Sequence, residues 1–74
     1  MAPLGALSQA WVSAQASLPS GWQLAGIWRF DEVWISLAEG PGFDDYASGS
    51  GHFAEQALRR LGDRLRERRG PVTG

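Results

Sequence analysis

The sequence predicts an α+β domain of order α-β-β-β-α, a three-stranded antiparallel sheet with both helices packed on one face. Three observations carry this. Two apolar runs, WQLAGIWRF and VWISLAE, meet at the acidic pair Asp31-Glu32, the pattern of a β-hairpin. Apolar residues recur at spacings of three and four at each end of the chain, the signature of two amphipathic helices. Glycine and proline punctuate the segments between them. The 74 residues form a single domain. Its elements are a helix over about 4–18, strands over about 22–30, 33–39 and 43–48, a helix over about 52–69, and a tail at 70–74.

In the first helix Leu4, Leu7, Trp11, Ala14 and Leu18 form the apolar stripe, while Ser8, Gln9, Ser13, Gln15 and Ser17 lie mostly off it. Residues 1–5 are its frayed start. Pro19 and Gly21 stop it. Its outward face carries no charge, which suits either a weakly polar surface or a contact with another chain.

Alternation along the hairpin places Trp22, Leu24, Gly26, Trp28 and Phe30 on one face. With Asp31-Glu32 as a two-residue loop, Phe30 pairs with Val33, Trp28 with Ile35 and Gly26 with Leu37. That face is apolar throughout and is expected to be core. The other, with Gln23, Ala25, Ile27, Arg29, Trp34, Ser36 and Ala38, is expected to be the solvated side of an antiparallel sheet. Asp-Glu is not the Asn-Gly or Asp-Gly signal of a tight turn, so a longer loop stays open as an alternative.

Gly40-Pro41-Gly42 breaks the chain after the hairpin, and Phe43 to Ser48 reads as a brief third strand pairing with the second. Gly49-Ser50-Gly51 is expected to end it, with Ser50 or Gly51 capping the last helix. There Ala54, Ala57, Leu58, Leu61 and Leu65 form the stripe, with Phe53 at its edge. Glu55 and Arg59 form an i,i+4 pair. Glu55 near the start and arginines near the end suit the helix dipole. Gly62 costs about 1 kcal/mol relative to alanine and admits a close neighbour, the first helix or a strand. Gly70-Pro71 ends the helix.

A chain this short buries a modest core, and its stability is expected at about 4–11 kcal/mol. It has no cysteine, which excludes disulfides and thiolate chemistry and fits a cytoplasmic location. The N-terminal stretch lacks a basic region and is interrupted by Ser and Gln, unlike a signal peptide. No apolar run reaches membrane-span length, so no membrane partner is expected. The net charge of −1 conceals a gradient: residues 1–28 are uncharged, 29–57 acidic and 58–74 rich in arginine.

No catalytic constellation emerges. Asp44, Asp45 and His52 flank one short strand, but metal sites need several converging ligands, and adjacent loop acids are ordinarily solvated. Ser48 and Ser50 have no base beyond His52. A chain without lysine holds no Walker-type phosphate loop. The expectation is a protein that is not an enzyme and uses no cofactor or metal.

The element order, with Gly49-Ser50-Gly51 leading into Ala54-Glu55-Gln56-Ala57-Leu58, resembles the double-stranded-RNA-binding domain over nearly the whole chain. That family grips phosphates with lysines at the start of its last helix. His52, Phe53, Ala54 and Glu55 stand there in this chain, and its basic residues lie at the other end. Gly51, Glu55, Ala57 and Leu58 also resemble the small HicB-type antitoxins, which implies a partner-binding or dimerising module. Leu18-Pro19-Ser20-Gly21-Trp22 resembles a segment that precedes the sheet in small bacterial α-β-β-β-α proteins of unassigned function.

The resulting expectation is a non-enzymatic protein-interaction module, antitoxin-like or inhibitor-like, that self-associates as a homodimer or takes a protein partner. Its candidate contact residues are Ile27, Arg29 and Trp34, on the sheet face expected to be open, or an exposed strand edge. Trp34 pairs across from Arg29 there, and Trp and Arg are enriched where interfaces concentrate their binding energy. The alternative is an RNA- or DNA-binding module using Arg59, Arg66 and Arg69 on one side of the last helix. Arg60, Arg64 and Arg68 fall on its other side, with Asp63 and Glu67 interleaved.

Overall fold

A computed structural model of the chain describes the backbone of residues 2–69 and the side chains of residues 5–67. The order is α1 (Ala2–Ala16), β1 (Gln23–Phe30), β2 (Val33–Glu39), β3 (Tyr46–Gly51) and α2 (Ala54–Arg69). The strands form one antiparallel sheet in the order β1-β2-β3. This is the expected α+β architecture, with both helices on one side of the sheet. The tail at 70–74 and the Leu4 position of the first stripe lie outside the described residues and side chains.

α1 starts and ends about two residues earlier than the periodicity suggests. Ser17 and Leu18 donate backbone hydrogen bonds to the Ala14 and Gln15 carbonyls, both at 3.1 Å, so the last turn tightens to i→i−3 geometry. Pro19 cannot continue the ladder. Trp22 N–H then donates to the Pro19 carbonyl at 3.1 Å, and Gly21 takes φ of 86° at the position where a type II turn requires it.

The hairpin pairs as expected: Phe30 with Val33, Trp28 with Ile35 and Gly26 with Leu37. The loop is the two-residue form. Asp31 has φ of 62° and is the only non-glycine residue with positive φ among those described; the primed turns that close two-residue hairpins need a positive φ at this first loop position. Between Leu24 and Gly26 the register shifts, because Ala25 is the extra residue of a β-bulge. Leu24 therefore joins the face of Ile27 instead of that of Trp28.

The side of the sheet that the helices cover reverses the expectation. The covered face carries Leu24 and Ile27 from β1, Ser36 and Ala38 from β2, and Ala47, Gly49 and Gly51 from β3. Most of these are small, and that is the physical reason. α2 lies so close on β3 that a methyl group on Gly49 would overlap the Ala57 carbonyl oxygen and the Leu61 amide nitrogen. Ser36, fully buried, donates its hydroxyl to the Ala57 carbonyl at 2.9 Å, with the Gly49 carbonyl at 3.3 Å. A row of tryptophan and phenylalanine cannot admit a helix backbone at that distance, whereas Ser, Ala and Gly can.

The core has two linked parts. Ala10, Ala14 and Leu58 join the helices, with Leu7, Trp11, Leu24 and Ile27 packed against them. Ala38, Leu61 and Leu65 join α2 to the sheet, flanked by Leu18, Trp22, Leu24 and Ala47. The α2 stripe is thus as expected at Ala57, Leu58, Leu61 and Leu65, all fully buried. Gly62 faces α1, near Ala14 and Ser17.

β3 spans Tyr46–Gly51, not 43–48. Phe43 belongs to the preceding loop, where Asp45 accepts from Gly42 N–H at 2.9 Å and Gly40 N–H donates to the Asp45 carbonyl at 2.7 Å. Gly49-Ser50-Gly51 pairs with Trp34 to Ser36 instead of ending the strand. Neither Ser50 nor Gly51 caps α2: its first turn closes through Ala57 N–H on the Phe53 carbonyl, and Gln56 Oε1 accepts from His52 N–H at 2.8 Å.

Candidate protein-interaction surface

The face away from the helices holds most of the bulky apolar residues of the sheet. β1 contributes Trp28 and Phe30, β2 contributes Val33, Ile35 and Leu37, and β3 contributes Tyr46, Ser48 and Ser50. Trp28 is 44% exposed, Phe30 68% and Tyr46 60%. Phe43, 95% exposed, borders a shallow depression with Leu37, Glu39 and Tyr46 and extends the patch. At that end Gln23 donates to the Glu39 carboxylate at 2.9 Å.

The sequence-expected contact residues lie elsewhere. Ile27 packs against the Ala10–Ala14–Leu58 cluster on the covered side. Arg29 and Trp34 pair across the hairpin as expected, on that same side near the turn. Trp34 is half-buried; Arg29 is exposed and its Nε donates to the Asp31 carbonyl at 3.0 Å. Trp28, Phe30 and Ile35, expected in the core, form the open surface instead. Size and apolarity mark these residues in the sequence; the small residues at alternate positions on β2 and β3 are what reveal the side the helix takes.

Both sheet edges are blunted. β1 carries the bulge at Ala25, which bends an edge away from further pairing. On β3, the Ser50 carbonyl already accepts from Arg60 Nη1 at 3.0 Å. Of the two routes expected for contact, face and edge, the open face has the larger free apolar surface.

The arginines of α2 are dispersed. Arg66 pairs with Asp63 and donates to Ser17 Oγ at 2.8 Å, tying α2 to α1. Arg59 is exposed, Arg64 lies beside Tyr46 and Glu67 near β3, and the Arg69 side chain lies outside the described residues. Asp45 is held in its own loop, and His52 lies past the other end of β3. Among the described residues no three His, Cys, Asp or Glu side chains converge as a metal site, and no helix is long and apolar enough to cross a membrane. Comparison with known proteins gives no match: no family model, curated protein or solved structure is significantly similar to this chain.

Proposed function

We propose that this protein is a non-enzymatic protein-interaction module, self-associating or antitoxin- or inhibitor-like toward a protein partner, and that its working surface is the open sheet face. One observation carries the reading. The helices cover the small-residue face and leave Trp28, Phe30 and Val33 exposed on the other, with Ile35 half-buried beside Trp28. Contiguous apolar patches beyond a few hundred Å² are rare on free monomers and mark sites of contact. Aromatic anchors at the middle of such a patch are the side chains on which binding energy concentrates. The resemblance of Gly51, Glu55, Ala57 and Leu58 to HicB-type antitoxins, carried by those residues alone, would imply the same class of role.

The nucleic-acid alternative rests on Arg59, Arg66 and Arg69. It draws less support, because Arg66 is engaged with Asp63 and Ser17, and the open face carries Glu39 and no cation.

A photo-reactive phenylalanine analogue at position 30 tests the reading in the producing cell, with the same analogue at positions 12 and 59 as controls. The expected result is a discrete protein adduct, to this chain or to one partner, from position 30 alone. Nucleic-acid adducts from position 59 with none from position 30 would reverse the assignment.

A further inference from the structure

We infer that the occupant of the open face is a second copy of this chain, docked sheet on sheet about a two-fold axis running along β2. The inference rests on the interaction reading above and names its partner.

Area is the first argument. Scaling a fully exposed aromatic side chain of roughly 150–250 Å² by the exposures of Trp28, Phe30 and Tyr46, with smaller shares from Val33, Ile35 and Leu37, gives roughly 500 Å² of apolar surface per copy. Two copies with their polar borders reach about 1,200 Å², the lower bound of stable interfaces.

Shape is the second. The face is a ridge beside a shelf: Trp28 and Phe30 stand on β1, and Ser48 and Ser50 lie level with Gly26 and Trp28 on β3. An isologous two-fold along β2 sets the β1 row of one copy over the β3 row of the other. Trp28 then meets the shelf at Ser50, and Ile35 meets Ile35 of the second copy. Packed sheets lie ~10 Å apart, which tryptophan against serine fills and tryptophan against tryptophan overfills.

Charge permits the arrangement. The centre of the face is uncharged. Glu39, at its end, is held by Gln23. The two-fold sets Glu39 of one copy level with Glu39 of the other at the exposed border of the interface, where both carboxylates stay in water.

The chain has no cysteine, so introduced thiols report cleanly. Gln23, Glu39 and Tyr46 lie on one level across the sheet, so the two-fold brings Gln23 of one copy near Tyr46 of the other. The experiment mixes Gln23→Cys and Tyr46→Cys chains with a bis-maleimide spanning ~10 Å, alongside sedimentation equilibrium of the cysteine-free chain. The expected result is a dimer that the mixed pair cross-links and neither variant cross-links alone. Trp28→Ser and, separately, Ile35→Ser are expected to weaken dimerisation about 30-fold or more, as loss of a central anchor does.

A dimer cross-linked by Gln23→Cys alone, or one indifferent to both serine substitutions, overturns the proposed packing. A monomer at millimolar concentration overturns the second copy. With a monomer, a single foreign protein adduct at position 30 keeps the interaction reading and changes the partner; no adduct there removes both.

Discussion

Gly49→Ala adds one methyl group at the point where α2 lies on β3. The added carbon overlaps backbone atoms of α2, the Ala57 carbonyl oxygen and the Leu61 amide nitrogen, which no rotamer change can move aside. α2 must lift or slide. Overpacking of this kind costs about 1–3 kcal/mol, and more where a backbone must shift. Lifting α2 also strains the 2.9 Å bond from Ser36 to the Ala57 carbonyl; the hydroxyl keeps the Gly49 carbonyl at 3.3 Å, so this adds only about 1 kcal/mol. Reduced freedom of the unfolded chain returns ~0.4–1 kcal/mol. The net loss is therefore about 2–3 kcal/mol, a large share of the total expected for a chain this size. Urea unfolding followed by far-UV circular dichroism at a fixed protein concentration measures it. A loss below about 0.5 kcal/mol would refute the close seat of α2 on β3, and with it the reason that the small-residue face is the covered one.

Gly62→Ala is the contrasting case. Its added methyl meets Arg66 Nη1 at 3.5 Å, Ser17 Oγ at 3.7 Å and Ala14 Cα at 3.9 Å, all ordinary contacts. Recovered helix propensity is expected to stabilise the protein by about 1 kcal/mol and to raise Tm by about 4–8 °C in a thermal melt. Ser36→Ala removes the buried hydroxyl bond and is expected to cost about 1 kcal/mol in the same urea assay. Asp31→Gly relieves the positive φ at the hairpin turn and is expected to gain about 0.5–1 kcal/mol, read from the unfolding midpoint. Self-association through an uncharged face bordered by Asp31, Glu32, Glu39 and Asp44 is expected to tighten a few-fold between low and high salt in sedimentation equilibrium, whereas phosphate binding by arginines weakens.

The element order and hairpin pairing were legible in the sequence because they depend on periodicity and turn chemistry. Phe30 opposite Val33 follows from a two-residue loop, and the stripe Ala57-Leu58-Leu61-Leu65 follows from helical spacing. Apolar bulk alone points to the wrong face as the covered one. Trp28 and Phe30 are large and apolar, yet a helix that seats its backbone on a sheet requires small residues, and Ser36, Ala38, Ala47 and Gly49 supply them. The bulge at Ala25 has no distinctive residue signal, and it moves Leu24 across the sheet. Gly49 and Gly51, which look like chain breaks in the sequence, are strand residues whose missing side chains make room for α2. The same reversal moves the residues expected on the open side: Ile27 lies on the covered side, and Trp28 and Ile35 lie on the open one.

The chain has two isoleucines, and they lie on opposite sides of the sheet, Ile27 beneath the helices and Ile35 on the open face. Selective methyl labelling of both, with Overhauser contacts recorded at low protein concentration, therefore reads the side that the helices occupy. The account requires Ile27 to show contacts to the helix residues of the Ala10–Ala14–Leu58 cluster, while Ile35, equally half-buried, shows contacts to Trp28 across the hairpin and none to a helix. Helix contacts from Ile35 and none from Ile27 would contradict it.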